Sequence, residues 1–362
     1  MVFFNHIKRP ALLPFLPFYA FAVYIRNLLF DLKILRSTAF NFPVISIGNI
    51  TVGGTGKTPH VEFICRLLKN EFKIAVLSRG YKRKTRGFFM VTDKSRVNDV
   101  GDEPLQIRQK FNDVLVAVHD NRVAGIRTLI HNTKKPDIIL LDDAFQHRYV
   151  KAGLSILLID YTNPVFTDVL LPAGNLREPG SGMVRADIII ITKCPPDLTL
   201  PAQENFISQL NRRPKQQVFF SRYQYGGLTG VFHGINDPAV SLPWSKLQNE
   251  RVSVMLLTGI SNPTPMKLFI GQYVRIAEEI HYPDHHYFNE KDFRYVQSKF
   301  EDLKTKERYI IITEKDAVRI REAGIKDENF RKAFYYLPIE VKFLSGGEVP
   351  FKMMLNNFLK SE

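Results

Sequence analysis

Cysteine is nearly missing from this chain of 362 residues: there are two, Cys65 and Cys194, far apart in sequence. That excludes a disulfide framework and fits a reducing compartment. No group of Cys and His has the spacing of a metal centre. Tryptophan occurs once, against 28 phenylalanines. Acidic residues are in deficit, 36 against 50 lysines and arginines, which leaves a formal net charge of +14. Such a balance favours anionic partners: nucleic acid, an acidic membrane surface or a phosphorylated substrate. Internal repeats and low-complexity tracts are absent. With 45% hydrophobic and 24% charged residues, the chain has the composition of a folded globular protein. Its length suggests two or three domains.

An apolar run long enough to span a bilayer is also lacking. The stretch from Pro10 to Ile25 falls short of the ~20 residues required, and prolines at 10, 14 and 17 interrupt its start. No small-residue cleavage site follows, which argues against a secretory signal. Basic residues flank it at Lys8, Arg9, Arg26, Lys33 and Arg36. Two readings stay open: a segment lying on a membrane surface, or an amphipathic helix packed on the core.

What is present begins with FPVISIGNI (42–50), an apolar β-rich run that leads into TVGGTGKTP (51–59) and then a helical pattern, HVEFICRLLKNEF. Strand, glycine loop and helix are the context of a phosphate-binding loop. The strict pattern asks for glycine at position 51, where the chain has threonine. The physical task is still met. Gly53, Gly54 and Gly56 permit close approach of backbone N–H groups to phosphate at a helix start. Lys57 can reach the outer phosphates and the Thr58 hydroxyl suits Mg2+. Further continuous apolar runs follow: KIAVLSRGY, VLVAVHD, PDIILLDDAFQHR, LSILLIDY and ADIIIITK. Such runs read as strands buried on both faces. Alternating with helices, they predict an α/β fold: a P-loop NTPase-like, doubly wound, mostly parallel sheet.

Gly226-Gly227 marks a break. Beyond it a second, smaller α/β domain is expected, with strands at RVSVMLLTGI and ERYIIIT, helices at NPTPMKLFIGQYV and DFRYVQSKFEDL, and a loop at EKDAVRI. The expected boundaries are 1–36 for the apolar segment, 37–225 for the loop-bearing domain and 226–335 for the smaller one. Residues 336–362 form a return strand and a helix packing on the first domain. The extended segments 216–225 and 333–343 are candidates for a paired connection.

Several carboxylates fit a phosphotransfer site. Asp142 and Asp143 end an apolar strand, where a P-loop enzyme places a Mg2+-binding carboxylate; a turn or helix cap is the alternative. Gln146 and His147 follow and suit supporting roles. Asp102 and Glu103 in VGDEP suit either an N-cap or a general base for an alcohol acceptor. SRGYKRKTRG (78–87) brings five basic residues into eight, Arg79 to Arg86, and reads as a solvated loop or as an anion-binding rim containing Arg79, Lys82 and Arg83. Arg177 in LPAGNLREP suits a phosphate clamp, and His285 in YPDHHYF a partner for a carboxylate. Aromatics do not interleave with the basic residues as on a nucleic-acid stacking surface, so no nucleic-acid partner is expected.

Taken in order, GNITVGGTGKTP, SRGYKRK, VGDEP, LLDDAFQHR, LLPAGNLREP, ITKCP, TGISNP and PDHHYF closely resemble the tetraacyldisaccharide 4'-kinase family, the lipid A 4'-kinases of Gram-negative bacteria. The resemblance covers nearly the whole chain. It implies ATP as donor, Mg2+ as cofactor, and the 4'-hydroxyl of a tetraacyldisaccharide 1-phosphate lipid as acceptor. It implies work at an anionic membrane surface, the cytoplasmic face of the inner membrane, with a peripheral or monotopic attachment. No obligate protein partner is evident. The family's phosphate loop maps onto Thr51, Val52, Gly53, Gly54, Thr55, Gly56, Lys57 and Thr58, so threonine at 51 is within the family's pattern. The base maps onto Asp102, its supporting histidine onto His285 with His286 adjacent, and the metal ligands onto Asp142 and Asp143, with Thr58 and Glu103 as further candidates. A P-loop NTPase acting as a nucleotide-dependent switch is the alternative.

Overall fold

The computed structural model describes residues 8–232, 241–248 and 252–361. The head of the expected apolar segment (1–7), two stretches of the expected smaller domain (233–240 and 249–251) and residue 362 lie outside the described residues. The chain gathers into two compact units. The first holds 1–94, 107–223 and 341–362; the second holds 95–106 and 224–340. The expected boundaries put 95–106 in the loop-bearing domain, whereas those residues cluster with the second unit.

In the first unit, beside a two-stranded pairing of Thr38–Ala39 with Val150–Lys151, the main sheet takes eight strands: β1 (Val44–Asn49), β2 (Ile74–Ser78), β3 (Phe89–Met90), β4 (Leu115–Val118), β5 (Ile138–Asp142), β6 (Leu154–Asp160), β7 (Ile188–Thr192) and β8 (Gln217–Tyr225). With the late strand Ile339–Phe343 they form one sheet in the order Ile339–Phe343, β8, β7, β6, β1, β5, β2, β4, β3. Pairing is parallel from β8 through β4, and β3 is antiparallel to its neighbour; at the other edge Ile339–Phe343 runs antiparallel to β8, with Gly226 N–H donating to Pro338 O and Leu344 N–H to Phe220 O. Every residue of β1, β2, β5 and β7 is buried, as a parallel sheet covered on both faces requires. β1 lies between β5 and β6, so successive crossovers leave to opposite sides of it. Ligands bind such sheets at the carboxyl ends of the strands beside this switch point.

Helix α1 (Leu16–Asp31) continues a 3-10 turn from Pro10 to Phe15. Against the expectation from the shorter run Pro10 to Ile25, the combined helical run of 22 residues, Pro10–Asp31, is long and apolar enough to cross a membrane by length and composition alone. One flank is nevertheless bonded to the first unit. The Tyr19 hydroxyl donates to the Arg177 carbonyl at 2.9 Å, and Arg148 bonds Asn27 and Asp31. Arg148 also lies over the Phe30 ring. Outward stand Phe18 and Phe21, 75% and 66% exposed. Helix α2 (Lys57–Leu68) covers the sheet with Val61, Ile64, Cys65 and Leu68. The last helix, Glu348–Ser361, returns to this unit, where Phe351 packs on Phe63, Phe219 and Phe343.

The second unit has a sheet of six strands: β9 (Leu228–Gly230), β10 (Ser241–Leu242), β11 (Val252–Thr258), β12 (Ile276–His281), β13 (Glu307–Thr313) and β14 (Phe334–Leu337). Their order is β10, β9, β14, β13, β11, β12, with a parallel core from β14 to β12. Apolar clusters line both faces. Helix α3 (Asp102–Lys110) begins in this unit, and α4 (Glu314–Arg321) follows β13 directly. The expected loop at EKDAVRI is therefore a helix. Thr313 caps it: its hydroxyl oxygen accepts from the Asp316 N–H at 3.0 Å and its proton goes to the Asp316 carboxylate at 2.6 Å. A threonine read as a strand residue hid that start, because one residue serves both the strand and the cap. β12 is a second difference; Glu278 and Glu279 break its apolar pattern.

Candidate active site

The glycine loop leaves the carboxyl end of β1 and is held from three sides. Asn49, the last residue of the strand, donates its side-chain amide to Thr55 Oγ1 at 2.8 Å. The Thr192 hydroxyl, at the end of β7, donates to the Thr55 carbonyl at 2.9 Å. The LPAGNLREP segment runs alongside: Val52 N–H donates to Asn175 O, Arg177 N–H to Ile50 O, and Thr51 makes a β-bridge with Leu176. Position 51 thus serves as a strand-like, buried bridge residue, and a β-branched residue suits it. Gly53 and Gly56 have φ of 102° and 90°, in the left-handed half of the map where side chains are disfavoured. A Cβ at Gly56 would also stand 2.1 Å from the Tyr223 hydroxyl. The Gly56 carbonyl accepts from His60 Nδ1 at 2.8 Å, and His60 Nε2 accepts from the Ser221 hydroxyl at 2.9 Å. Burial holds His60 neutral, with a pKa down at about 4. Lys57 and Thr58 open α2 and are half-buried.

Two carboxylates face this loop from β5. Asp142 is buried; one oxygen accepts from the Ser78 hydroxyl at 3.3 Å, and the other is buried without a hydrogen-bond partner among the described residues. Burial, then the neighbouring Asp143 charge, pushes its pKa up to about 6. Asp143, at φ 49°, turns the other way. Burial would raise its pKa, but Lys57 at 3.7 Å and Arg177 at 3.1 Å outweigh it and hold the carboxylate ionised. A buried anionic oxygen with nothing bonded to it is costly unless a cation arrives. Carboxylate oxygens are hard donors, which fits Mg2+. Arg177 reaches both Asp143 and Gln146 Oε1, so it is committed to this network. Ser78 was not singled out by sequence; a lone serine ending a strand carries no signal.

A basic cluster surrounds the ends of β2, β4 and β5. Arg79 is exposed, and the Lys82 ammonium lies over the Tyr81 ring. Arg83 donates to Gly87 O at 2.7 Å and Asp120 at 3.3 Å, while its Nη1 is buried without a partner among the described residues. Arg122, missed in the sequence, is buried; its Nε has no partner among the described residues, and burial lowers its pKa to about 10. His147 Nε2 is likewise buried and unpartnered, and burial with Arg122, Arg26 and Arg79 lowers its pKa to about 4. Two buried guanidinium nitrogens and a buried ring nitrogen are thus left without partners among the described residues, a cost that a polar ligand would offset. Arg122 gave no motif signal, since an arginine opening a helix is commonplace.

In the second unit, Gly101 (φ 91°) turns the chain so that Asp102 opens α3. His285, itself at φ 62°, points Nδ1 at Asp102 Oδ2, 2.9 Å away. His286 turns elsewhere: its Nε2 bonds Asp292 at 2.8 Å and its ring stacks on Tyr282. Of the two adjacent rings, His285 is the one that meets Asp102. Burial would raise the Asp102 pKa; the His285 hydrogen bond and the Lys315 charge outweigh it, so Asp102 is held well below the carboxylate range. Glu103 is pushed up to about 7, chiefly by burial. Asp102, Glu103 and His285 offer donor atoms within 4.8 Å of one another. The Lys315 ammonium already meets Glu103 at 3.1 Å.

A doubly wound parallel sheet with a Gly-Lys-Thr loop after its central strand and paired carboxylates ending the next defines a P-loop phosphotransfer protein. More narrowly, residues 8–360 match the family model of the tetraacyldisaccharide-1-P 4'-kinases, and the chain belongs to that family. The tetraacyldisaccharide 4'-kinase of Bacteroides fragilis is 44% identical over 344 residues, covering 94% of this chain and 91% of the relative. That of Flavobacterium psychrophilum is 43% identical over 359 residues, covering 98% and 97%. Among solved structures, the "apo" form of Aquifex aeolicus LpxK in complex with ATP aligns with a TM-score of 0.72 at 27% identity, covering 96% of this chain and 98% of that one.

Proposed function

We propose that this chain transfers the γ-phosphoryl group of ATP to the 4'-hydroxyl of a tetraacyldisaccharide 1-phosphate, a step of lipid A biosynthesis. The observation that carries the reading is the Asp102–His285 pair in a family of 4'-kinases that also bears the phosphate loop. A nucleotide switch has no use for a carboxylate kept ionised by an imidazole on a second unit, and the family assignment does not favour it.

Loop residues 51–58 hold the donor phosphates through the Lys57 ammonium and the backbone N–H groups not already bonded, as Val52 N–H is to Asn175. Asp102 accepts the proton of the 4'-hydroxyl as its oxygen attacks the γ-phosphorus; the bond to the β-phosphate oxygen breaks and ADP leaves. Asp143, Asp142 and the Thr58 hydroxyl would hold Mg2+, which when bound offsets charge on the phosphates. Glu103 is assigned to the Lys315 ion pair in place of the metal. The unpartnered nitrogens of Arg83, Arg122 and His147, with Arg79 and Lys82 at the rim, support binding of the acidic lipid. Arg177 orients Asp143 in this reading. The outward Phe18 and Phe21 on α1 support attachment to an anionic membrane surface, at the cytoplasmic face where ATP is found. No nucleic acid and no obligate protein partner enter the reading.

The test is transfer of label from γ-labelled ATP, with Mg2+ and detergent, to a tetraacyldisaccharide 1-phosphate, beside a lipid-free control. Label in the lipid is expected. Label only in free phosphate, at one rate with or without lipid, would overturn the kinase reading.

A further inference from the structure

The motif EKDAVRI has entered so far only through the charge of Lys315, yet it brings that ammonium onto the Asp102–His285 pair. The Lys315 ammonium lies 3.1 Å from His285 Nε2, 3.1 Å from Glu103 Oε1, and 3.7 Å from both Asp102 Oδ2 and Asp284 Oδ1. It is not a loose surface lysine. It stands in the first turn of α4, whose start is fixed by the Thr313 cap. The neighbouring Asp316 is fully buried, accepts from the Gly259 N–H at 3.1 Å and is bonded by Arg319. Arg319 Nη1 in turn lies 4.0 Å from Asp102.

An ammonium has three protons to donate and no lone pair to accept with. A ring nitrogen bonded to it must be the bare, accepting nitrogen. The proton of the neutral ring is then on Nδ1, and Nδ1 faces Asp102 Oδ2 at 2.9 Å. The other tautomer would set an N–H against an ammonium and leave a nitrogen lone pair against a carboxylate, which is repulsive at both ends.

We propose that Lys315 is a positioning residue for the phosphotransfer base: by donating to His285 Nε2 it fixes the ring proton on Nδ1, where it holds Asp102 in place. It acts through His285 and touches no reacting atom. The alternative is that Lys315 only neutralises buried carboxylates. The two differ in a measurable way: if Lys315 only neutralises, Asp102 alone sets the ring's tautomer, and removing Lys315 leaves it unchanged. This proposal rests on the assignment of Asp102 as base.

The experiment uses the full chain in detergent, with 15N-labelled histidine and the His285 signals assigned by their loss in His285→Gln. In the parent protein the Nδ1–H form is expected. A dominant Nε2–H form would overturn the proposal whatever the variants do. In Lys315→Met the Nδ1–H preference is expected to fall, and kcat with it by about 10- to 100-fold, part of the ~10²–10⁴-fold a positioned base supplies; KM for ATP should not move. Lys315→Arg, which can still donate to Nε2, should restore part of kcat. Asp102→Asn is run beside them. If Asp102→Asn is inactive while Lys315→Met keeps the parental tautomer and kcat, the Lys315 proposal fails alone. If Asp102→Asn turns over normally, the base assignment itself fails.

Discussion

Asp142 and Asp143 are consecutive in sequence and opposite in electrical situation. Asp143 is held ionised by Lys57 and Arg177, whereas Asp142 is buried with one oxygen unbonded and its pKa raised to about 6. For a carboxyl whose folded pKa lies above its unfolded ~3.9, ionisation costs folding free energy. The cost is absent below the unfolded value and complete above the folded one, and a shift of about two units amounts to roughly 3 kcal/mol. Asp142→Asn should therefore stabilise the metal-free protein above pH 6, read by urea unfolding in EDTA. The same variant should lose the increment in ATP affinity that Mg2+ confers. Unchanged Mg2+-dependent binding would remove Asp142 from the metal site.

Asp102→Asn removes the proposed base and keeps its shape. We expect kcat to fall by ~10²–10⁴-fold, the range for a positioned acid or base. ATP affinity, which depends on the loop, should stay near the parental value in a fluorescent-nucleotide titration. Parental turnover would show that another group takes the proton.

Gly56→Ala places a methyl group 2.1 Å from the Tyr223 hydroxyl, on a backbone at φ 90°. The left-handed conformation alone costs an alanine about 1–2 kcal/mol. Nucleotide affinity should fall at least tenfold. Adding Tyr223→Phe should recover only part, because the ring carbon remains 3.2 Å away and the dihedral strain is untouched. Full recovery would mean that the clash was the whole effect.

His60 links the loop carbonyl to Ser221 while buried and neutral, with a pKa of about 4. Its unfolded pKa is ~6.5, so the unfolded chain binds the extra proton first. The stability it contributes is complete above pH 6.5 and is lost as pH falls towards 4, a total of roughly 3 kcal/mol. His60→Gln should flatten the acid side of the stability profile by one proton. An unaltered slope between pH 4 and 6.5 would place the titration elsewhere.

Phe18 and Phe21 face outward on α1. Each phenylalanine that enters an apolar phase is worth ~1.5–3 kcal/mol. Phe18→Glu with Phe21→Glu should lower partitioning onto anionic vesicles by at least tenfold, measured by sedimentation, with activity on detergent-dispersed lipid largely kept. Equal sedimentation of both forms would remove α1 from membrane attachment.

The loop, its strand and the run ending in Asp142 were legible because each is a short, contiguous signal. Four or more apolar residues ending in a glycine loop or a carboxylate pair have few other physical uses. The Asp102–His285 pair was reached through resemblance to the family, and the structure separates His285 from His286 by a backbone turn that no pattern announces. Lys315 was illegible for a different reason. Its role depends on a helix started by a threonine that also ends a strand, and on carboxylates more than two hundred positions earlier. Arg122 and Ser78 were hidden likewise, since their meaning lies in what surrounds them and not in their neighbours along the chain.

Residues 95–106 belong with 224–340, and this bears on how the protein comes to exist. Asp102 and His285 are 183 positions apart. At a synthesis rate of about 5–20 residues per second, the base leaves the ribosome roughly 10–40 s before the ring that will hold it. In that interval Asp102 must wait without its imidazole while the strands β4 to β8 are made. A nascent chain stalled before residue 285 would carry an intact phosphate loop and a base with no imidazole partner. The same interleaving rules out the simplest dissection: no single uninterrupted piece of this chain contains the second unit alone.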